Sequence, residues 1–247
     1  MKKRLLLVVG IVVGVGLIIY AVLTAISPSI RLEFDFRHGA QGWEAGFAEY
    51  SPEMEDMMLE AGLKPLPSEL GINGTGYYLK GMNRSDDLFM FLKRRLGPED
   101  GVVPGQKYRL RFTIIFASNA PSGAVGIGGS LGEAVLLKAG GSPVEPEVYL
   151  DPDANYYVID VDKGLGNDEK GGAAASVVGN IANGLSAEEV DLENPPYVSL
   201  TRQHTHEYTV TANPDGELWL VVGTDSGFEG LTGIYYQNIT VTLTPVK

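Results

Sequence analysis

Three stretches far apart in this chain alternate apolar and polar side chains with a period of two. Successive side chains on a strand point to opposite faces, so such stretches form strands with one buried and one wet face. Tyr108, Leu110, Phe112, Ile114 and Phe116 oppose Arg109, Arg111 and Thr113. Ile30, Leu32, Phe34 and Phe36 oppose Arg31, Glu33 and Asp35. Near the other end, Ile239, Val241 and Leu243 oppose Thr240, Thr242 and Thr244. Shorter strand signals fall at 76–81, 87–92, 156–161, 204–211 and 217–222. The chain has 32 glycines and 14 prolines, dispersed among aromatic and β-branched residues. That mixture marks many strands joined by turns, not a disordered stalk. The expected fold is all-β, a two-sheet antiparallel jelly-roll-like sandwich, with the first and last strands close together.

One short helix is expected after Ser51. Ser51 caps, Pro52 suits the first helical position, and Glu53, Glu55 and Asp56 favour the positive end of the dipole. Met54, Met57, Met58 and Ala61 then share a face, and Gly62 with Pro65 and Pro67 ends the run. Asn213-Pro214-Asp215-Gly216 reads as the turn of a hairpin. Two glycine-rich stretches, 120–132 and 164–184, are long for loops of a compact domain. Neither is followed by the Gly-Lys-Ser/Thr of a phosphate-binding loop, and neither shows G-x-G-x-x-G opening a helix.

Ahead of the strands, Lys2, Lys3 and Arg4 precede an uncharged run from Leu5 to Ile26. As a helix that run is about 33 Å long, against a hydrocarbon core of about 30 Å. The expectation is a cytoplasmic basic segment (1–4), a transmembrane signal anchor (5–26) and an extracytoplasmic β-sandwich (27–247). Basic flanks stay in the cytoplasm, which sets the orientation. Cleavage after Ser27 is the alternative, and it leaves the same domain outside. Gly10 and Gly14 form a G-x-x-x-G in this run. With no cysteine, the domain has neither a lipidated cysteine nor a disulfide and depends on its own core. The net charge is −12, and −15 once the three leading cations are set aside. Such a surface repels nucleic acid, which is excluded as a partner.

Phe34-Asp35-Phe36 with Gly42-Trp43 at the start of the domain resembles the opening of carbohydrate-binding and galactose-binding-like jelly rolls. The ending, 218–222 leading to 234–241, resembles their closing strands. The segments 83–91 and 223–230 are similar to parts of uncharacterised bacterial secreted or membrane-anchored proteins. These resemblances imply an extracytoplasmic β-domain with a glycan or cell-envelope partner, and name no activity.

The polar residues beside strong strand cores are the ligand-binding candidates: Asp86, Asp87, Asp225 and Glu229. Trp43 is the aromatic candidate, because sugars stack on exposed rings. The adjacent pairs Tyr77/Tyr78 and Tyr235/Tyr236 each send one ring away from the core. Asp151, Asp153 and Asn155 have the one-three-five oxygen spacing of a calcium loop, although Tyr156 stands where an EF-hand needs glycine. Calcium is the only cofactor this sequence suggests. His204 and His206 share a strand face without a recognisable third ligand. Asp225-Ser226-Gly227 lacks the surroundings of aspartic or serine proteases, and Thr224 and Phe228 stand where a nucleophile elbow requires glycine. No catalytic residue is assigned. The expected function is a membrane-anchored binding module for a glycan or cell-envelope ligand. The alternatives are a non-catalytic structural component of the cell surface and, third, a glycan hydrolase using paired carboxylates.

Overall fold

The computed structural model describes residues 28–84, 87–166 and 170–247. The apolar run from Leu5 to Ile26, expected to be the anchor, lies outside them. Among the described residues no helix is long and apolar enough to cross a membrane.

In chain order the strands are β1 (Ile30–Asp35), β2 (Glu44–Ala48), β3 (Glu60–Pro65), β4 (Thr75–Met82), β5 (Leu88–Leu96), β6 (Lys107–Ser118) and β7 (Val135–Ser142). They continue with β8 (Val148–Asp151), β9 (Tyr156–Ile159), β10 (Ser176–Asn180), β11 (Val198–Thr211), β12 (Leu218–Ser226) and β13 (Leu231–Val246). Two antiparallel sheets form a sandwich. One has the order β11-β6-β13-β4-β3, with β1 also on β13, and the other has the order β10-β7-β12-β5-β2. From β3 to β7 and again from β10 to β13, the chain crosses between sheets, except at β3–β4, as jelly rolls do. A separate hairpin, β8–β9, stands apart from both sheets.

The alternating stretches behave as their pattern demands. Tyr108, Leu110, Phe112, Ile114 and Phe116 are all buried, and Phe112 lies opposite Val241 of β13. β1 pairs with β13 from Ile30↔Leu243 to Asp35↔Asn238, which brings the first and last strands together. From the second sheet, Leu88, Met90, Leu92, Leu137, Leu220 and Val222 complete the core.

Two local expectations are corrected. Residues 51–59 form no helix, and 60–65 is strand β3 along the sheet edge. Tertiary pairing overrides the capping signals, as it often does for a run too short to be stable as a helix alone. The carbonyl of Met57 accepts the Met82 N–H at 2.7 Å, and Met57 enters the core. The β3 backbone continues the sheet beyond β4, from Glu60↔Lys80 to Pro65↔Thr75. The second correction concerns 213–216. The turn exists, with the Gly216 N–H on the Asn213 carbonyl at 3.0 Å and Gly216 at φ +79°. It does not close a hairpin: β11 pairs with β6, whereas β12 pairs with β5 and β7. The turn carries the chain from one sheet to the other.

Candidate functional site

The outer face of the five-stranded sheet is not open to water. Phe89 and Phe91 of β5 and Val221 of β12 point away from the main core and form a second one with Ala48, Ile159, Val161, Ala174 and Ala175. The β8–β9 hairpin and the segment after it thus lie over this face. Glycines let the cover come close. A Cβ on Gly140 would stand 2.3 Å from the Ala174 carbonyl oxygen, and within the sheet Gly46 leaves space for the ring of Phe91 opposite it, 2.3 Å from where its Cβ would stand. The hairpin is tied to the end of β2. Tyr157 exchanges backbone hydrogen bonds with the neighbourhood of Tyr50, donating to the Tyr50 carbonyl and accepting from Glu49, and the two rings pack at 5.0 Å. The Asp162 carboxylate clamps the following loop at both ends, accepting from the N–H groups of Gly164 and Ala173, each at 2.9 Å.

Between sheet and cover runs a cleft of about 430 Å³. Glu49, Asp87, Asp162 and Lys163 are its polar lining, and Ile159, Val161 and Leu165 are apolar. At its floor four charged side chains interlock. Lys138 Nζ donates to Asp225 Oδ2 at 2.6 Å and to the carbonyls of Lys163 and Leu165, each at 2.9 Å. Lys163 Nζ reaches Asp225 Oδ2 and Asp87 Oδ1, each at 3.1 Å. Lys138 and Asp225 are fully buried, and the side chains of Lys163 and Asp87 are 6% and 31% exposed. The deep pair is shut away, while Asp87 and the edge of Lys163 face the cleft.

The electrostatics follow from this layering. Burial raises the Asp87 pKa above the ordinary carboxylate range, and hydrogen-bond contact with the Asp225 carboxyl adds to it, against the pull of Lys163. Asp225 Oδ1 is buried without a donor among the described residues. Asp87, with its raised pKa, stands against this carboxyl. Burial alone would depress Lys163, but Asp225, Asp87 and Glu49 outweigh it and hold the ammonium above its usual range. Burial also raises Glu49, partly offset by Lys163.

Similarities to known proteins are distant. No family model matches the chain, and no curated protein matches its sequence. The chain is similar to carbohydrate-binding modules of β-sandwich type. One structure, of modules from the β-sandwich superfamily with promiscuous specificity, shares 13% identity at a TM-score of 0.36, over 87% of this chain and 61% of that one. A carbohydrate-binding module specific for non-crystalline cellulose shares 12% identity at 0.36, over 87% and 92%. The K1 cleaved adhesin domain of Lys-gingipain from Porphyromonas gingivalis shares 9% identity at 0.36, over 85% and 96%. The ligands named belong to those proteins.

Of the residues singled out in the sequence, Asp87 and Asp225 come together at the cleft floor. Asp86 lies outside the described residues. Glu229 lies past the end of β12, its N–H on the Ile127 carbonyl at 2.9 Å, and does not line the cleft. Trp43, expected to face a ligand, is in the core at 2% exposure, edge-on to Phe34 at 5.6 Å. It packs there against Phe34 of β1 and Phe36 just beyond the strand, whose rings also enter the core. Tyr77 and Tyr236 point into the core, and Tyr78 and Tyr235 pack together on the outside at 4.4 Å.

Asp151, Asp153 and Asn155 form the tip of the β8–β9 hairpin. Asp151 Oδ1 accepts from the N–H groups of Asp153 and Ala154, and the Asn155 amide donates to Glu53. The one-three-five spacing here builds an Asx turn. Among the described residues no three His, Cys, Asp or Glu side chains gather as a metal site. His204 and His206 converge on Ser176 Oγ, each at 2.7 Å, and His206 Nε2 lies 3.0 Å from the Ala173 carbonyl oxygen, which ties β11 to the cover.

Sequence reasoning missed Lys138, Lys163 and Glu49. Lys138 carried a signal: a lone lysine in the apolar run from Val135 to Ala139 must be buried with a partner if that run is a strand. Lys163 and Glu49 carried none, because each depends on how the cover folds back over the sheet.

Proposed function

We propose that this domain is a non-catalytic module that binds a glycan or polyhydroxylated cell-envelope polymer in the cleft between the five-stranded sheet and its cover. One observation carries the reading: the Asp87 carboxyl and the Lys163 ammonium are presented at the cleft floor and fixed from beneath by a fully buried Lys138–Asp225 pair. Sugar recognition requires donors and acceptors held rigidly at spacings that match vicinal hydroxyls, with apolar surface for the C–H faces. Asp87, Lys163 and Glu49 supply the first, and Ile159, Val161 and the 71%-exposed Leu165 supply the second. The apolar run from Leu5 to Ile26 supports tethering of this module to a membrane, with the domain extracytoplasmic. Two carboxyls in hydrogen-bond contact are too close for a glycosidase, whose pair stands about 5–9.5 Å apart. The buried pair itself favours a second reading, that of a load-resisting structural element of the cell surface.

The test is binding of the full-length chain to a glycan array and to isolated envelope polymers. Saturable binding reduced at least tenfold in Glu49→Gln and Leu165→Ala supports the cleft. A folded chain that retains no polysaccharide on either panel would contradict it.

A further inference from the structure

We propose that Lys138 and Asp225 join through an intramolecular amide bond, an isopeptide cross-link between β7 and β12, with Asp87 as the proton-transferring residue. The geometry of four side chains points to this. Lys138 Nζ lies 2.6 Å from Asp225 Oδ2, one bond from the carboxyl carbon it would attack. Neither side chain is exposed, so no water competes for that carbon. Their strands are neighbours in one sheet, with Lys138 opposite Gly223, two residues from Asp225. That register sets the lysine diagonally across from the carboxylate.

The two other groups meet the chemical needs of the condensation. Asp87 contacts the Asp225 carboxyl, and its raised pKa lets it carry a proton there. Lys163 stays an ammonium 3.1 Å from Asp225 Oδ2, where negative charge grows as the nitrogen attacks. The Lys138 ammonium first gives one proton to the carboxyl pair. The neutral amine then attacks Asp225 Cγ, forming the C–N bond and a tetrahedral intermediate. Asp87 gives its proton to the departing oxygen and takes the second proton from nitrogen, so it ends as it began. The C–O bond breaks, one water leaves through the adjoining cleft, and the amide keeps one N–H. An ammonium and a carboxylate become an amide and water, with no oxidant, metal or activating group required. Fixed near-attack geometry in a dry site supplies the acceleration. The bond would close a loop between residues 87 apart in a chain without cysteine, as a disulfide closes one elsewhere.

The experiment is peptide-level and intact mass spectrometry on the full-length chain after denaturation. The expected result is a branched peptide joining the segments that contain Lys138 and Asp225, with a mass lower by one water than the sequence requires. Lys138→Met abolishes both signatures. Asp87→Asn keeps both reacting groups and a carboxamide of the same shape, and it leaves the chain folded but unbridged, or bridged at least a hundredfold more slowly. Two unlinked peptides of full mass from the natural chain would overturn the proposal and leave an ordinary buried ion pair. A bridge that forms as fast in Asp87→Asn would overturn the role given to Asp87.

Discussion

Lys138 and Asp225 meet at 2.6 Å on neighbouring strands, on the outer face of a sheet rather than in the core, with neither side chain reaching solvent. The β8–β9 hairpin and the segment after it cover the pair, and the carbonyls of Lys163 and Leu165 accept the other Lys138 N–H bonds. Removal of the carboxylate leaves two buried ammonium groups facing each other. Added to the unbridged Asp87→Asn chain, Asp225→Ala is therefore expected to lower unfolding free energy by about 3–5 kcal/mol, the usual cost of breaking a buried pair from one side. Urea denaturation checks this, and a change below about 1 kcal/mol would show that the cover already admits water.

The cover is held by close backbone approach, and Gly140 is where that approach is tightest. In Gly140→Ala the new methyl would meet the Ala174 carbonyl oxygen at 2.3 Å and the His206 ring at 2.6 Å. The expected outcome is a loss of about 1–3 kcal/mol, typical of overpacking. Limited proteolysis should then cut first between residues 160 and 176, while the two sheets stay intact.

Tyr236 lies fully buried in the main core, and its hydroxyl has no hydrogen-bond partner among the described residues. An unsatisfied buried hydroxyl costs free energy that a phenylalanine does not. Tyr236→Phe is expected to raise stability by about 1 kcal/mol. A thermal melt that falls instead would show that the hydroxyl is engaged.

Burial depresses the pKa of both His204 and His206 below the ordinary histidine value of 6.5. Below about pH 6.5 the unfolded chain therefore binds protons that the folded chain refuses. This contribution leaves stability whole above pH 6.5 and erodes it as the pH falls from there toward the folded pKa. Asp87 acts in the opposite sense. Its folded pKa is raised from 3.8 to about 7, so it favours the folded state at acid pH and loses that effect as pH rises to 7. Comparison of natural chain with His206→Leu separates the two. The difference in their unfolding free energies should grow in favour of the variant between about pH 7 and pH 5. A difference independent of pH would mean that His206 takes up its proton as readily in the folded as in the unfolded chain.

The fold was legible wherever one face of a strand is wet. β1, β6 and β13 alternate because one face meets the core and the other meets water, and their residues could be assigned to faces from sequence. β7 was not legible, because Leu136 and Lys138 face the cover while Val135, Leu137 and Ala139 face the core, and the period of two is erased. β3 was hidden for a different reason: good capping residues promised a helix that edge pairing with β4 overrode. The site was half legible. Asp87 and Asp225 stood out as polar residues against apolar strands, but Lys163 and Glu49 reach them only through the folded-back segment. Nothing local in the sequence encodes that segment's path.

Ligand is proposed to enter the cleft between the five-stranded sheet and its cover. Hydrogen exchange on the full-length chain, with and without a glycan or envelope polymer that it retains, tests this most directly. Binding in the cleft should slow exchange at residues 161–166 and 171–174 and around Glu49, with the outer face of the six-stranded sheet unchanged. Protection centred on Tyr78 and Tyr235, with the cleft segments exchanging as before, would contradict it.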